Sequence, residues 1–367
     1  MAIAKKTAIT IARFCAFWIL AALMFIGISL VMVPWSMDSQ SARGIYAEEK
    51  DSLDMLYIGG SVCLMSWQPY EAWDESGIAS YSYGWSSLTS YNVVPLVQEA
   101  MERQSPKLLV VDLRVFQLTE DEGKPSDIAL ERNMLGTSPH RMAVIDNIFE
   151  YHTDLEPADT RTSFVFDIIR SHGTWRSISE NSFKYALTGI VASETKGYRP
   201  TSDLGDKHAV VHLNDNSEVT GSSPVSYRAE EDLRYFIDFA KQEGFDVLFV
   251  AAPYSESATE REQYNYLARI IQENGYEYLN SNDMIDEIGI DNTNDFYDAR
   301  HLNIFGAEKY TRWLANYLQS RYEVPDRRGG SLNSTWSEGY RKWREYSDAN
   351  KLAMQKIIDG EAARNAG

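Results

Sequence analysis

Apolar residues recur along the chain with two periods. Five short segments are apolar in the main, β-branched or aromatic, and closed by Gly, Pro, Ser or Asn: 53–60 "LDMLYIGG", 78–85 "IASYSYGW", 107–114 "KLLVVDLR", 246–253 "DVLFVAAP" and 276–282 "YEYLNSN". Runs of this kind predict strands buried on both faces. Between them, apolar positions spaced by three and four predict helices over 89–104, 227–244, 260–275 and 304–322. Gly244 and Gly275 stand where two of these helices should stop. Strands alternating with helices predict an α/β fold with a five-stranded parallel sheet covered on both faces. Open sheets of this kind bind ligands beyond the carboxyl ends of their strands.

Three segments fall outside that alternation. Residues 14–35 carry no charge over 22 positions, enough to cross a bilayer as a helix. Lys5, Lys6 and Arg13 precede the run, and Asp38 and Glu48 are the first acids after it. The positive-inside rule then puts residues 1–35 down as a cytoplasmic N-terminus and transmembrane anchor, with the main domain outside. Trp18 and Trp35 are placed to mark the two interfaces. A cleaved signal peptide is the alternative, but its apolar region should be shorter, and "SQSARG" at 39–44 is a poor cleavage site. Residues 36–50 read as a polar tether and 51–322 as the main domain. Within it, about 118–226 do not alternate and predict a helical insertion ending in a long loop. Such an insertion serves either as a lid or as a decorated connection. Residues 323–367 predict a helical tail, whose Trp336, Tyr340, Trp343 and Tyr346 form a stripe that docks on the domain or on a partner.

The net charge is −18, and setting aside Lys5, Lys6 and Arg13 leaves −21. A domain so acidic does not bind nucleic acid through phosphates. A mean hydropathy of −0.37 excludes a multi-spanning membrane protein. The two cysteines, Cys15 in the apolar run and Cys63 after the first strand, do not form a disulfide pair, and no Cys/His cluster has zinc-ligand spacing. No metal or cofactor is expected.

Chemistry concentrates at the two ends of the main domain. In "MLYIGGSVCL" (55–64) Ser61 follows the carboxyl end of the first strand. Gly59 and Gly60 are expected to let the chain bend sharply there. In "DFYDARHLNIFGAEKY" (295–310) Asp298 and His301 are three apart, which brings their side chains together on a helical turn. The motif precedes the last helix and so belongs to the same edge of the sheet. An Asp that fixes the imidazole tautomer, a His that takes a proton and a Ser that gives one are the set needed for acyl transfer through a covalent acyl-enzyme.

A serine after the first strand, a glycine after the second and Asp-x-x-His before the last helix resemble the SGNH (GDSL-type) hydrolase superfamily. "HLNIFGAEKY" is similar to the form found in its membrane-anchored DltD-like and AlgX/AlgJ-like members. The resemblance covers about 53–322 in layout but is carried by three short motifs. It implies a three-layer, flavodoxin-like fold, with Ser61 as nucleophile and Asp298 and His301 as its acid and base. The N–H groups of Ser61 and Gly84 become oxyanion donors. It also implies esterification of a cell-envelope polysaccharide or other polymer, alongside a membrane-bound O-acyltransferase. Two departures stand out. Gly60 replaces an Asp before the nucleophile, and "VVDLRVFQL" after the third strand lacks the usual oxyanion Asn.

Arg114 or Gln117 is then a candidate side-chain donor or substrate contact, and Arg114 suits an anionic group. The opposing reading is a structural Asp112–Arg114 ion pair. Pro253, Tyr254 and Ser255 either line the crevice or make an ordinary turn. His208 and His212 read as surface residues. Lys196 and Arg199 are offered to an anion or belong to a plain loop. An exported serine esterase or O-acyltransferase is therefore expected, with a non-catalytic scaffold subunit of an acylation complex as the alternative.

Overall fold

The computed structural model describes residues 2–33, 36–117, 128, 130–152, 155–202 and 211–365. Trp35, His208 and the start of the insertion, 118–127, lie outside them. Five strands form one all-parallel sheet: β1 Met55–Gly59, β2 Ser80–Gly84, β3 Leu108–Asp112, β4 Asp246–Ala251 and β5 Glu277–Asn280. Their order is β2-β1-β3-β4-β5, a doubly wound arrangement in which the connections reverse direction beside β1. Apart from Asp246 and the first half of β5, every strand residue is buried, as a sheet covered on both faces requires. Each strand is shorter than its apolar run by one or two residues at either end, except that β4 starts with its run at Asp246.

Helices α1 Ala2–Val31, α2 Met37–Gly44, α3 Ser61–Ser66, α4 Pro69–Ser76 and α5 Val93–Met101 lie in the first third of the chain. Pro95 is the third residue of α5, in the first turn, where its missing N–H has no intrahelical partner to lose. The insertion contributes α6 Pro139–Tyr151, α7 Arg161–Val165, α8 Asp167–Arg170 and α9 Glu180–Thr188. It then runs without helix or strand through 190–202 and 211–226. The core helices are completed by α10 Tyr227–Glu243, α11 Ala258–Glu273 and α12 Ile304–Arg321, and the chain closes on α13 Asn333–Asn365. Gly244 ends α10 with φ at +75°, as anticipated. Ser257 starts α11 in a reciprocal cap with Glu260.

Residues 36–50 are not a tether. Ser36 and Ser39 cap α2 reciprocally, and Arg43 is buried with its guanidinium donating to the Asn133 carbonyl. The Tyr81 hydroxyl donates to the Ser41 carbonyl at 2.7 Å, and a Cβ on Gly44 would come within 2.6 Å of the Ser193 Cβ. This polar segment is covered by residues 150 positions downstream, which local composition does not reveal. The C-terminal stripe docks on the domain itself. Trp336 stacks on Trp73 with centroids 5.1 Å apart, and Trp343 Nε1–H donates to Glu71 at 3.0 Å. Tyr346 remains 44% exposed.

Candidate active site

Ser61 is the first residue of α3, directly beyond the carboxyl end of β1. The two glycines before it play different parts. Gly60 has an ordinary φ of −81°, and a Cβ there would meet nothing closer than 3.8 Å. Gly59 is the one that needs its hydrogen: a Cβ would lie 2.7 Å from the Cβ atoms of both Asp112 and Cys63. The sharp bend expected of the pair is therefore a close approach of β1, β3 and α3 at Gly59. Gly84 is explained in the same way. It pairs with Gly59 in the last rung between β1 and β2, and a Cβ on it would collide with the Gly59 carbonyl oxygen.

The loop before α12 delivers the other two residues. Phe296 and Leu302 form an antiparallel bridge, and the Tyr297 N–H donates to the His301 carbonyl at 2.9 Å. Asn303 is fully buried. Its side-chain oxygen caps α12 through the Phe305 and Gly306 N–H groups, and its amide donates to the carbonyls of Asn294 and Phe296. Gly306 lies against the Asp295 carbonyl, where no Cβ fits. From the far side, the Ser255 N–H holds the Ala299 carbonyl at 2.8 Å. "HLNIFGA" is thus a clamp that fixes the height and direction of His301.

The clamp brings His301 Nε2 to 2.8 Å from Ser61 Oγ, across 240 residues of sequence. Both oxygens of Asp298 lie 2.9 Å from His301 Nδ1. A carboxylate only accepts, so Nδ1 carries the proton and Nε2 is free to accept from the serine hydroxyl. Asp298 Oδ1 also accepts the N–H groups of Arg300 and His301, at 2.8 and 3.0 Å. Partial burial works against the Asp298 charge, but these hydrogen bonds and the imidazole hold its carboxyl below the usual range. The His301 and Asp298 side chains are 20% and 46% exposed, so the cluster opens to solvent.

Asp112 is the unexpected member of the neighbourhood. It ends β3 on the side of β1 opposite Gly84, is 1% exposed, and accepts the Arg114 N–H on Oδ1 at 3.1 Å. Its Oδ2 has no hydrogen-bond partner among the described residues. Burial raises its carboxyl to about 6, against the opposing pull of the Arg114 N–H, the Arg114 charge and His301. The side-chain ion pair expected between Asp112 and Arg114 is absent. Instead the Arg114 guanidinium bonds Glu260 at 3.0 Å, and Arg300 reaches the same carboxylate at 2.8 Å. Both guanidinium groups lie over the Tyr254 ring, at 5.5 and 5.9 Å. Glu260 is held down to about 2: burial opposes its charge, and the Ser257 backbone, Arg300, the Ser257 hydroxyl and Arg114 outweigh it.

Arg114 and Arg300 thus share one carboxylate. Of the two, Arg300, adjacent to His301, is the more open to solvent, its side chain 47% exposed against 15% for Arg114. Sequence reasoning missed Arg300, because its exposure beside His301 is set by the folded loop and not by a local motif.

Among the described residues, the other candidates make no hydrogen bond to Ser61, Asp298 or His301. Gln117 is buried and donates to Gln263, and the Tyr254 hydroxyl donates to Tyr264 in the core. Lys196 is consumed by Glu48 at 2.6 Å, beside the Trp336 ring. His212 is exposed, and its carbonyl accepts from the Ser255 hydroxyl. Arg199 bonds Asp38 and Ser86 and lines a cavity of about 860 Å³ between α2, residues 193–200 and α13. Ser61, Asp298 and His301 do not line that cavity. Cys63 is buried, its thiol pushed well up by burial and donating to the Tyr57 carbonyl, so it is a core residue and not a second nucleophile.

The fold and this cluster define an α/β protein with a five-stranded parallel sheet and a Ser–His–Asp constellation at the carboxyl edge. No protein-family model, no curated protein and no solved structure matches the chain.

Proposed function

We propose that the chain is a membrane-anchored serine esterase or O-acyltransferase of the SGNH type. It forms an acyl-serine at Ser61 and passes the acyl group to a hydroxyl of a cell-envelope polysaccharide or polymer, or to water. One observation carries the reading: a serine hydroxyl, an imidazole and a carboxylate in hydrogen-bonded series at the carboxyl edge of a doubly wound sheet. The strand order is that of flavodoxin-like folds, which supports the superfamily assignment.

In the forward half-reaction His301 Nε2 takes the Ser61 proton as Oγ attacks the acyl carbonyl carbon. The resulting oxyanion is bound by the N–H groups of Ser61 and Gly84. The tetrahedral intermediate collapses, and the imidazolium returns its proton to the departing alkoxide. The acyl-serine then meets an acceptor hydroxyl, which gives its proton to His301 as its oxygen attacks. Ser61 leaves and recovers that proton. Asp298 keeps Nδ1 protonated throughout and offsets the imidazolium charge.

The anchor rests on α1, whose segment Lys6–Val31 is long and apolar enough to cross a membrane. The charge asymmetry around it supports a cytoplasmic N-terminus and an extracytoplasmic domain. A membrane-bound O-acyltransferase supplying the acyl group is the partner this arrangement suits. The test is complementation of a strain lacking the gene. Ser61→Ala and His301→Ala are expected to fold and fail to restore acylation, whereas full restoration by Ser61→Ala would leave the domain as a scaffold.

A further inference from the structure

The N-terminal helix does not stand clear of the domain. Its distal end packs on α8 and α9 of the insertion. The Phe25 ring meets Phe166 edge-on at 5.2 Å, Ser29 Oγ accepts the Ile168 N–H at 3.3 Å, and Val33 joins Tyr185 and Val191 in a buried cluster separate from the main core. Within the uncharged stretch 14–35, the described part runs from Phe14 to Val33. At 1.5 Å per residue it is ~30 Å long, the thickness of the hydrocarbon layer. Phe25 therefore lies ~12 Å inside its outer end. A side chain that touches Phe25 from the domain shares that depth.

The insertion is dressed for the same surroundings. Leu187 is 85% exposed, the most of any large apolar residue described, and Phe183 lies one turn before it on the same face of α9. Trp175 and Ile169 are 58% and 44% exposed on neighbouring turns. A group of exposed aromatic and aliphatic side chains this size is a liability in water. Tyr185 points the other way, under the Arg43 guanidinium at 4.3 Å, so α9 is tied to the folded domain on its inner side. Residues 161–191 also carry four cations, Arg161, Arg170, Arg176 and Lys184, against only Asp167 and Glu180, in a chain whose net charge is −18. The Arg176 guanidinium sits 5.1 Å over the Trp175 ring, an aromatic–cation pairing suited to a headgroup layer.

We propose that residues 161–191 form a collar that enters the outer leaflet beside the span, with Ile169, Trp175, Phe183 and Leu187 against lipid acyl chains and Arg176 and Lys184 at the headgroups. Lipid is the occupant because α8 and α9, which carry part of the patch, pack on a helix long and apolar enough to lie in lipid. The collar rests on the reading of α1 as a span and is independent of the chemistry at Ser61.

The full chain, with Cys15→Ser, is placed alone in nanodiscs of phosphatidylethanolamine and phosphatidylglycerol. Single cysteines then carry a nitroxide at Leu187→Cys, Phe183→Cys or Ile169→Cys. Leu20→Cys in the span and Ile357→Cys on α13 serve as references, since both positions are exposed. Collision with oxygen and with a water-soluble nickel chelate is read by power saturation. The collar labels are expected to match Leu20, with an oxygen-to-nickel ratio severalfold above that at Ile357. Collar labels that match Ile357 while Leu20 stays in lipid overturn the collar and leave the span intact. A label at Leu20 that reads as water overturns the span and the collar with it. Collar labels that sit in water and become shielded only when a second membrane protein is added assign the patch to that protein and overturn the lipid proposal.

Discussion

Replacing Asp112 by Asn tests whether a titratable acid is buried beneath the candidate nucleophile. In the folded chain burial raises this carboxyl from 3.8 to about 6. The native state therefore holds its proton more tightly than the unfolded chain does. The associated stability is fully present below about pH 4 and is lost as pH rises through about 6. A gap of roughly two pH units corresponds to ~3 kcal/mol at about pH 8. The titratable groups that sense Asp112 are Tyr57, Cys63, Arg114, Tyr264, His301 and Tyr310. Asn keeps an oxygen for the Arg114 N–H but cannot ionise. Its amide also lacks a partner, a cost of about 1–3 kcal/mol that is the same at every pH. The readout is thus the change with pH and not the absolute offset. Urea unfolding of the detergent-solubilised chain, followed by tryptophan fluorescence, should show Asp112→Asn gaining on wild type by ~3 kcal/mol between about pH 4 and about pH 7, then levelling off. A difference that stays constant across that range would refute a buried, shifted Asp112.

Three further outcomes follow from the same contacts. Gly306→Ala drives a Cβ into the Asp295 carbonyl and should cost ~1–3 kcal/mol or more, with loss of probe labelling at Ser61 that exceeds the loss of folded protein in thermal melts. Trp336→Ala removes the stack on Trp73 and the Lys196 contact, and should lower stability by ~3–5 kcal/mol and expose α13 to limited proteolysis. Arg300→Ala should raise KM severalfold for an ester that carries an anionic group near the scissile bond and leave a neutral ester unchanged, as steady-state kinetics would show.

Much of the sheet was legible because its signal is local. Each of the five strands lies in a short apolar or aromatic run, and burial of nearly all strand residues sets these runs apart from the three-and-four spacing of the helices. Ser61, Asp298 and His301 could be placed at one edge because parallel topology brings strand ends together, however far apart they lie in sequence. What the sequence withheld depends on tertiary partners. Residues 36–50 look polar because much of what they bury is itself small or polar: Ser39, Ser41, Arg43 and Gly44 are buried, and Gly44 lies against Ser193. Asp112 and Arg114, two apart, suggested an ion pair, but a strand end points them differently, and Glu260 captures the arginine. Gly60, which looked like the turn-maker, has an ordinary backbone, while Gly59 and Gly84 are required by neighbouring strands. The exposed face of α9 had no marker in sequence, since its meaning depends on the helix at the other end of the chain.

The most direct test of a hydrogen-bonded Ser61–His301–Asp298 series is covalent capture of the serine. The full chain is treated with a fluorophosphonate, and the modified peptide is located by mass spectrometry. The phosphonyl group should be found on Ser61 in wild type and be absent in Ser61→Ala. It should form at least ~10²-fold more slowly in His301→Ala and in Asp298→Asn, because a serine without an oriented base is a poor nucleophile. A wild-type chain that takes up no probe, or takes it up elsewhere with Ser61 unmodified, would contradict the account.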